Sequence, residues 1–569
     1  MPNITIQDFG GRLPRRSKRL LPDNYAQEAI NVKLLSGELR GHRALSVVHS
    51  FPALTAPKAV WRVLSSTASP TEAWFSSQDP KATLLKSPLT NDAFDRWYLF
   101  EEGQPVQVMT FTDIDNGTGP WDLNFTQPTT APSCVPTVIT PADVETRVYV
   151  YTYVTSWGEE SAPSLPTTVD VDEAGSVVVS GFYVPAPTIA GRTFDKVRIY
   201  RTVTGNASTA FFFLGEVTSP VDTFNDNISS SITTLNETLG SVDNVPSEDG
   251  LYGARVHPSG ALVAFTGRDI YFSVPYLPHA WPGEYNISLA DEIVGIEVFE
   301  QNIAVMTKGS PVLLYGAHPA AIGILRFSFP EPCIAYGSIV GAPEGAYYAS
   351  HQGLVLFTAV GPTNITRQMI SQEEWQNDYA TDTMSSARWG TQYVSLETNN
   401  QGFIIDPQEA RIALTDIKGS NNIVAVSSDI YTGDVYVVGG DDVFLWDDRT
   451  APEVDYIWKS KQVVLPTPVN HGAVMVHLEP NATEYFPTTP VTTPPFPSEY
   501  LSLSMDKKTE VLVEIWCNDA RIFVGKCGDR EQVRVPSGKK GDAWEVRITG
   551  QVRVYSINIT EVGRGLARV

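Results

Sequence analysis

From Leu251 to Asp448, apolar and polar positions alternate in short runs that recur as one unit: strand, tight turn, strand, turn, strand. The copies run from Leu251 to Val274, Ile293 to Gly316, Gly337 to Thr358, Met384 to Asp406 and Asn422 to Asp448. Their starts lie roughly 40 residues apart, the period of a four-stranded propeller blade. Pro258-Ser259-Gly260, Gln352-Gly353, Thr432-Gly433-Asp434 and Gly440-Asp441-Asp442 separate the apolar runs. Hairpins need residues there that tolerate a positive φ. No Gly-His…Trp-Asp signature accompanies the repeat, so the pattern is not of the WD40 type. A stack of β-sandwiches is the competing reading.

Five units rarely close a ring, and the hairpin-like stretch Asp95 to Asp113 offers a further blade. The pattern predicts an all-β chain: a β-propeller of about six blades, an inserted fibronectin-III-like β-sandwich and a C-terminal β-sandwich platform. Residues 1–140 carry N-terminal strands and the first blade or blades. Residues 141–248 form the insert, where Arg147 to Ser164 alternates and Lys196 to Val217 reads as a hairpin with Gly205-Asn206 at its tip. Residues 249–450 carry the remaining blades, and 451–569 the platform. Its Pro-rich stretch 487–497 cannot join a central ladder and reads as an extended loop.

Composition supports the class. Val, Thr and Tyr are plentiful, charged residues make up 18%, and helix-favouring Ala/Glu/Lys/Leu stretches are scarce. With 64 acidic against 41 basic residues the net charge is −23, which repels nucleic acid and argues against a conventional DNA-binding protein. No apolar run is long enough for a membrane-spanning helix. Met1 to Gly10 lacks the apolar core of a signal peptide, so no export is expected. Cys134, Cys333, Cys517 and Cys527 are too scattered for a metal cluster; Cys517 and Cys527 could pair, but without an export signal free buried thiols are expected.

Two stretches resemble a known family. Arg19 to Leu45 is similar to the opening of the tail nozzle and head-closure hub proteins of short-tailed bacteriophages, the tail tubular protein family. The matching residues are Leu21, Pro22, Asp23, Asn31, Ser36, Gly37, Leu39 and Arg40. The propeller run resembles the same family at Leu251 to Val274, at His279 to Gly283 and around Ala349. The turn near Ser164 looks like fibronectin-like modules inserted in phage structural proteins. The resemblance implies a virion protein, assembled in the host bacterial cytoplasm into a homohexamer that forms the tail nozzle. An adaptor ring would lie above it, with fibres, spikes or a needle at its periphery or tip. Viral DNA would pass through without sequence-specific binding. The Pro-rich loop and the insert depart from the family pattern.

The chemistry sought in the sequence is sparse. Glu159-Glu160, Glu373-Glu374, Asp441-Asp442 and Asp447-Asp448 are acidic pairs, each read as a solvated turn or polar strand end. A glycosidase needs two carboxylates facing across a sugar. No Gly-x-Ser-x-Gly elbow, phosphate-binding loop or His-Glu-x-x-His pair occurs. Asp113 to Gly119 spaces oxygen ligands like a calcium loop but lacks the closing Glu, and reads as a polar turn. No catalytic residue, metal, cofactor or small-molecule substrate is therefore expected.

The basic run stands out in an acidic chain: Arg12, Arg15, Arg16, Lys18 and Arg19 are candidate partner contacts. A solvated arm is its plain alternative, and contact with DNA a third reading. A receptor-binding or glycan-degrading propeller is the competing function, with Trp281, Trp375 and Trp389 available to stack on sugars or to fill blade cores.

Overall fold

The computed structural model describes the chain apart from residues 1–2, 35, 54, 138–143, 183–190, 204–209, 219–222, 398–400, 408–413, 419–422, 480–509, 537 and 563–569. The hairpin tip at Gly205-Asn206 and the Pro-rich stretch 487–497 lie outside the described residues.

The dominant element is a four-stranded antiparallel array, and six such arrays carry the propeller pattern, five as separate sheets and the fifth blade as the end of a ten-stranded sheet. Blade 1 is Thr83–Lys86, Arg96–Phe100, Gln107–Thr110 and Trp121–Asp122. Blade 2 is Tyr252–Val256, Leu262–Thr266, Asp269–Phe272 and Ile287–Ser288. Blade 3 is Ile293–Phe299, Asn302–Thr307, Val312–Tyr315 and Gly323–Arg326. Blade 4 is Val340–Ala342, Gly345–Ser350, Gly353–Thr358 and Gly361–Asn364. Blade 5 is Ser385–Trp389, Gln392–Leu396, Gln401–Ile405 and Thr415–Lys418. Blade 6 is Ile423–Ser428, Val435–Gly439 and Asp442–Leu445, completed by Ser46–Ser50 from far upstream. Each of the five repeats read from the sequence contributes three strands of one sheet.

The chain divides into two compact units. The first comprises Lys58–Ala346 and Phe357–Pro362. Within it, blades 1 and 2 bury one core and blades 2 and 3 another. Leu262 and Ala264 face the first core, while Val263 and Phe265 face the second. A strand buried on both faces reads as a continuous apolar run, which explains the unbroken Leu-Val-Ala-Phe of blade 2. The turn before it depends on Gly260, at φ +84°; a Cβ there would stand 2.5 Å from the Tyr276 ring.

The insert is a two-sheet sandwich in the same unit. Ser133–Pro136, Val177–Ser180 and Phe224–Asp226 form one sheet; Thr167–Asp172, Val144–Thr155, Phe194–Thr202 and Phe211–Val217 form the other. Tyr149, Tyr151, Tyr153, Val179 and Ile199 fill the space between them. Asp226, fully buried, lies 3.0 Å from Arg201 Nε and 3.7 Å from Arg147 Nη1, and accepts the Tyr149 hydroxyl at 2.7 Å. Glu145 holds the other side of Arg147. Two buried cations thus share two carboxylates.

The second unit comprises Met1–Pro57, Tyr347–Leu356 and Thr363–Val569. Val394, Leu396, Ile404 and Ile417 of blade 5 pack on Ile423, Val435 and Val437 of blade 6. The C-terminal part is a second sandwich around Trp458, Trp544, Val513 and Ile557. Its sheets incorporate N-terminal strands. Ile4–Ile6 pairs with Val554–Thr560, and Ala26–Ile30 pairs with Tyr456–Ser460.

The sequence-based segment 1–140 is therefore distributed. Its first strands belong to the C-terminal sandwich, Ser46–Ser50 belongs to blade 6, Ala59–Leu64 with Glu72–Ser77 is a separate hairpin, and only residues 83–122 form a blade of their own. Pairings across hundreds of residues leave no local mark in a sequence.

Candidate functional site

The basic run is folded down onto its own unit. The Arg12 guanidinium pairs with Asp416 and donates to Tyr379 Oη at 3.1 Å, while the Tyr379 hydroxyl donates to Asp416 at 3.0 Å. Arg15 donates to the Arg367 carbonyl through its side chain and to the Met369 carbonyl through its backbone. Lys18 pairs with Asp519 and, at 2.9 Å, with buried Glu545. Burial would raise the Glu545 carboxyl, but Lys459, Lys18 and Gln27 outweigh it and hold the group down at about 2. Arg16 and Arg19 are exposed. The run is a strap with two outward cations.

The motif residues that follow do structural work. Leu21 is buried, and Lys461 Nζ donates to the Leu21 carbonyl and to Asp23. Pro22 accepts from Tyr25 N at 3.2 Å, closing the turn that leads into Ala26–Ile30. Asn31 sits at φ +56°, a conformation Asn tolerates better than other side chains. It donates to the Lys418 carbonyl at 3.0 Å and accepts from Lys418 N at 2.9 Å, joining the strap to blade 5. Ser36 bonds Glu38, and Gly37 at φ +77° closes a turn whose carbonyl accepts from Phe9 N. Leu39 is buried and exchanges two backbone bonds with Val554; Arg40 lies opposite Lys33 in a two-stranded ribbon. We expect Asn31→Ala to cost about 2 kcal/mol, from two lost hydrogen bonds and a strained Cβ. Thermal unfolding checks this: Asn31→Gly, which keeps the φ, should lose less, and equal midpoints for both variants would contradict the assignment.

The acidic pairs depart from the solvated turns expected. Glu159 is 4% exposed and lies 2.7 Å from Arg192 Nε and 3.7 Å from Arg96 Nη1. Arg96 also binds Asp92 at 2.8 Å, and Arg192 reaches the carbonyls of Asp122 and Leu123. Trp157 lies 5.2 Å from Arg192 and 5.7 Å from Arg96. Glu160 turns the other way, accepting from Thr152 at 2.7 Å, Tyr200 at 2.8 Å and Arg198 at 3.1 Å. The Gly158 turn, at φ +78°, thereby locks the insert onto blade 1. Nothing near Glu159 in sequence announces this, because Arg96 and Arg192 come from other elements.

The other pairs are similarly engaged. Asp447 binds Lys33 and Arg43 N, and Asp448 accepts from Ser46 and Thr450. Asp441 accepts from Ala56 N and Asp442 from Ser50. Glu374 completes a capping box with Ser371 at the start of Gln372–Asp378. Asp113 caps the helix Phe111–Asn116 with Thr110 rather than opening a polar turn.

Trp281 and Trp375 are buried and donate to the carbonyls of Pro278 and Ser350, while Trp389 packs on the core of blades 5 and 6. The four cysteines are free thiols.

These sheets define an all-β chain of the propeller class, carrying two β-sandwiches. No family model and no curated protein matches the sequence. Among solved structures, the chain is similar to BBS1N in complex with ARL6DN, at 10% identity and TM-score 0.31, over 72% of this chain and 99% of that one. BamB from Moraxella catarrhalis matches at 10% identity and TM-score 0.25, over 65% of this chain and 98% of that one. The Pan2 WD40 domain of Neurospora crassa matches at 7% identity and TM-score 0.26, over 50% and 85%. Similarity this low carries no statement about function.

Proposed function

We propose that the chain is a non-enzymatic structural subunit of a short-tailed phage virion, a ring-forming component of the tail nozzle through which DNA leaves. The observation that carries this reading is the use to which the family-like N-terminal residues are put. Leu21, Asn31, Gly37 and Leu39 tie the strap into blade 5 and the C-terminal sandwich, as residues of an architectural motif should. The carboxylate pairs that a glycosidase would need are spent on ion pairs, caps and turns, which favours a scaffold over the glycan-degrading alternative. The net charge of −23 suits a conduit wall that DNA must pass without adhering.

Electron microscopy of the virion tests the proposal. A ring of copies around the tail axis below the portal is expected, with an acidic or neutral lumen. Density confined to peripheral fibres, or a strongly basic lumen, would overturn it.

A further inference from the structure

In the second unit, a cavity of about 230 Å³ lies where the ribbon after the strap meets the adjoining ends of blades 5 and 6. Its wall is apolar along Leu45, Ile417, Ile423 and Val454. Two polar side chains on this wall are buried. His42 is 3% exposed and its ring is directed at the Val32 backbone; Trp446 is 8% exposed and its Nε1 has no hydrogen-bond partner among the described residues. The two rings lie 5.4 Å apart. A buried donor left unmet is unfavourable, so the Trp446 N–H on the wall of a cavity is a poor packing solution and a good receptor for an acceptor.

The charges on the lining have one sign. Among the described residues that line the cavity, Arg43 and Lys418 are charged and none is a carboxylate, in a chain where acids outnumber bases. Asp447, the nearest acid to His42 at 3.9 Å, is committed to Lys33 and to Arg43 N. Arg43 is itself anchored on the carbonyls of Arg449 and Ala451, which holds it in place before any ligand arrives.

We propose that this cavity binds a small aromatic carboxylate, its ring against the apolar wall and its oxygens taking the Trp446 N–H within the field of Arg43 and Lys418. The proposal is independent of the conduit reading.

The test is fluorine NMR of the full chain with 4-fluorobenzoate, using 4-fluorobenzamide as the neutral isostere. The fluorobenzoate should bind saturably and, in a nitrogen–proton correlation spectrum of the labelled protein, shift one indole N–H resonance, the one missing from Trp446→Phe. The amide should bind at least tenfold more weakly. Lys418→Gln should weaken benzoate about tenfold and leave the amide unchanged. That side chain is exposed and the bonds to Asn31 are backbone bonds, so folding is spared; circular dichroism verifies it. No saturable binding would mean that water meets the donor and would overturn the proposal. Equal affinity for the amide, or an unaltered benzoate affinity in Lys418→Gln, would do the same.

Discussion

Asp226→Ala should destabilise the inserted sandwich by about 3–5 kcal/mol, the usual cost of removing one partner from a buried ionic cluster. Arg201 would lose its 3.0 Å contact, Tyr149 its acceptor, and Arg147 its second carboxylate, leaving Glu145 to serve two buried guanidinium groups. Asp226→Asn keeps the shape but not the charge, so most of the loss should persist. The paired change Asp226→Leu with Arg201→Met removes the desolvated charges together and should recover much of it. Hydrogen exchange of the strands Val144–Thr155 and Phe194–Thr202 reads the effect locally. If the double variant proves worse than either single change, the cluster is not behaving as a coupled charge network.

The second large effect is acid sensitivity. His42, His257, His279 and His471 are all held below the ordinary imidazole range, primarily by burial. For His42 the neighbouring charges of Lys33 and Arg40 add to burial and bring it to about 3. A folded state that resists protonation has its full advantage above pH 6.5 and loses it as pH falls from 6.5 towards 3. At pH 4.5 the His42 share alone is about 3 kcal/mol, at 1.36 kcal/mol per unit. Glu545, held at about 2, keeps its lysine pairs throughout that window. Unfolding midpoints measured between pH 7.5 and 4.5 should fall steeply for the native chain. In His42→Phe the slope should be shallower by nearly one proton; parallel curves would contradict the assignment.

Much of the fold was legible because its signal is local. Leu251 to Asp448 announces its strands through turns such as Pro258-Ser259-Gly260, and its two-sided burial through runs such as Leu262 to Phe265. The final strand of each repeat was less visible. Ile287–Ser288 is only two residues long, and blade 6 borrows Ser46–Ser50 from the other end of the chain. The N-terminal motif was recognisable as residues but not as a strap, since Asn31 acts on Lys418 and Leu39 on Val554. Glu159 was misread for the same reason. A Gly-Glu-Glu turn looks solvated until Arg96 and Arg192 arrive from elsewhere, and only tertiary packing brings them there. The tryptophans were legible as core residues because each is embedded in an apolar or turn context.

The stitching of early strands to late ones sets an order on biosynthesis. Ile4–Ile6, Ala26–Ile30 and Ser46–Ser50 leave the ribosome well before their partners, which lie at Val554–Thr560, Tyr456–Ser460 and Asp442–Leu445. At about 5–20 residues per second, these strands wait roughly 20 seconds to two minutes for a ladder. Meanwhile the unit from Lys58 to Ala346 has its blades and sandwich within reach and can fold as it emerges. The waiting strands are short, and the segment between the first two carries charged residues such as Asp8, Arg15, Arg16 and Asp23, a composition that resists pairing with another nascent chain. The last event is therefore a closure, in which strands translated early become native only when their late-translated partners arrive.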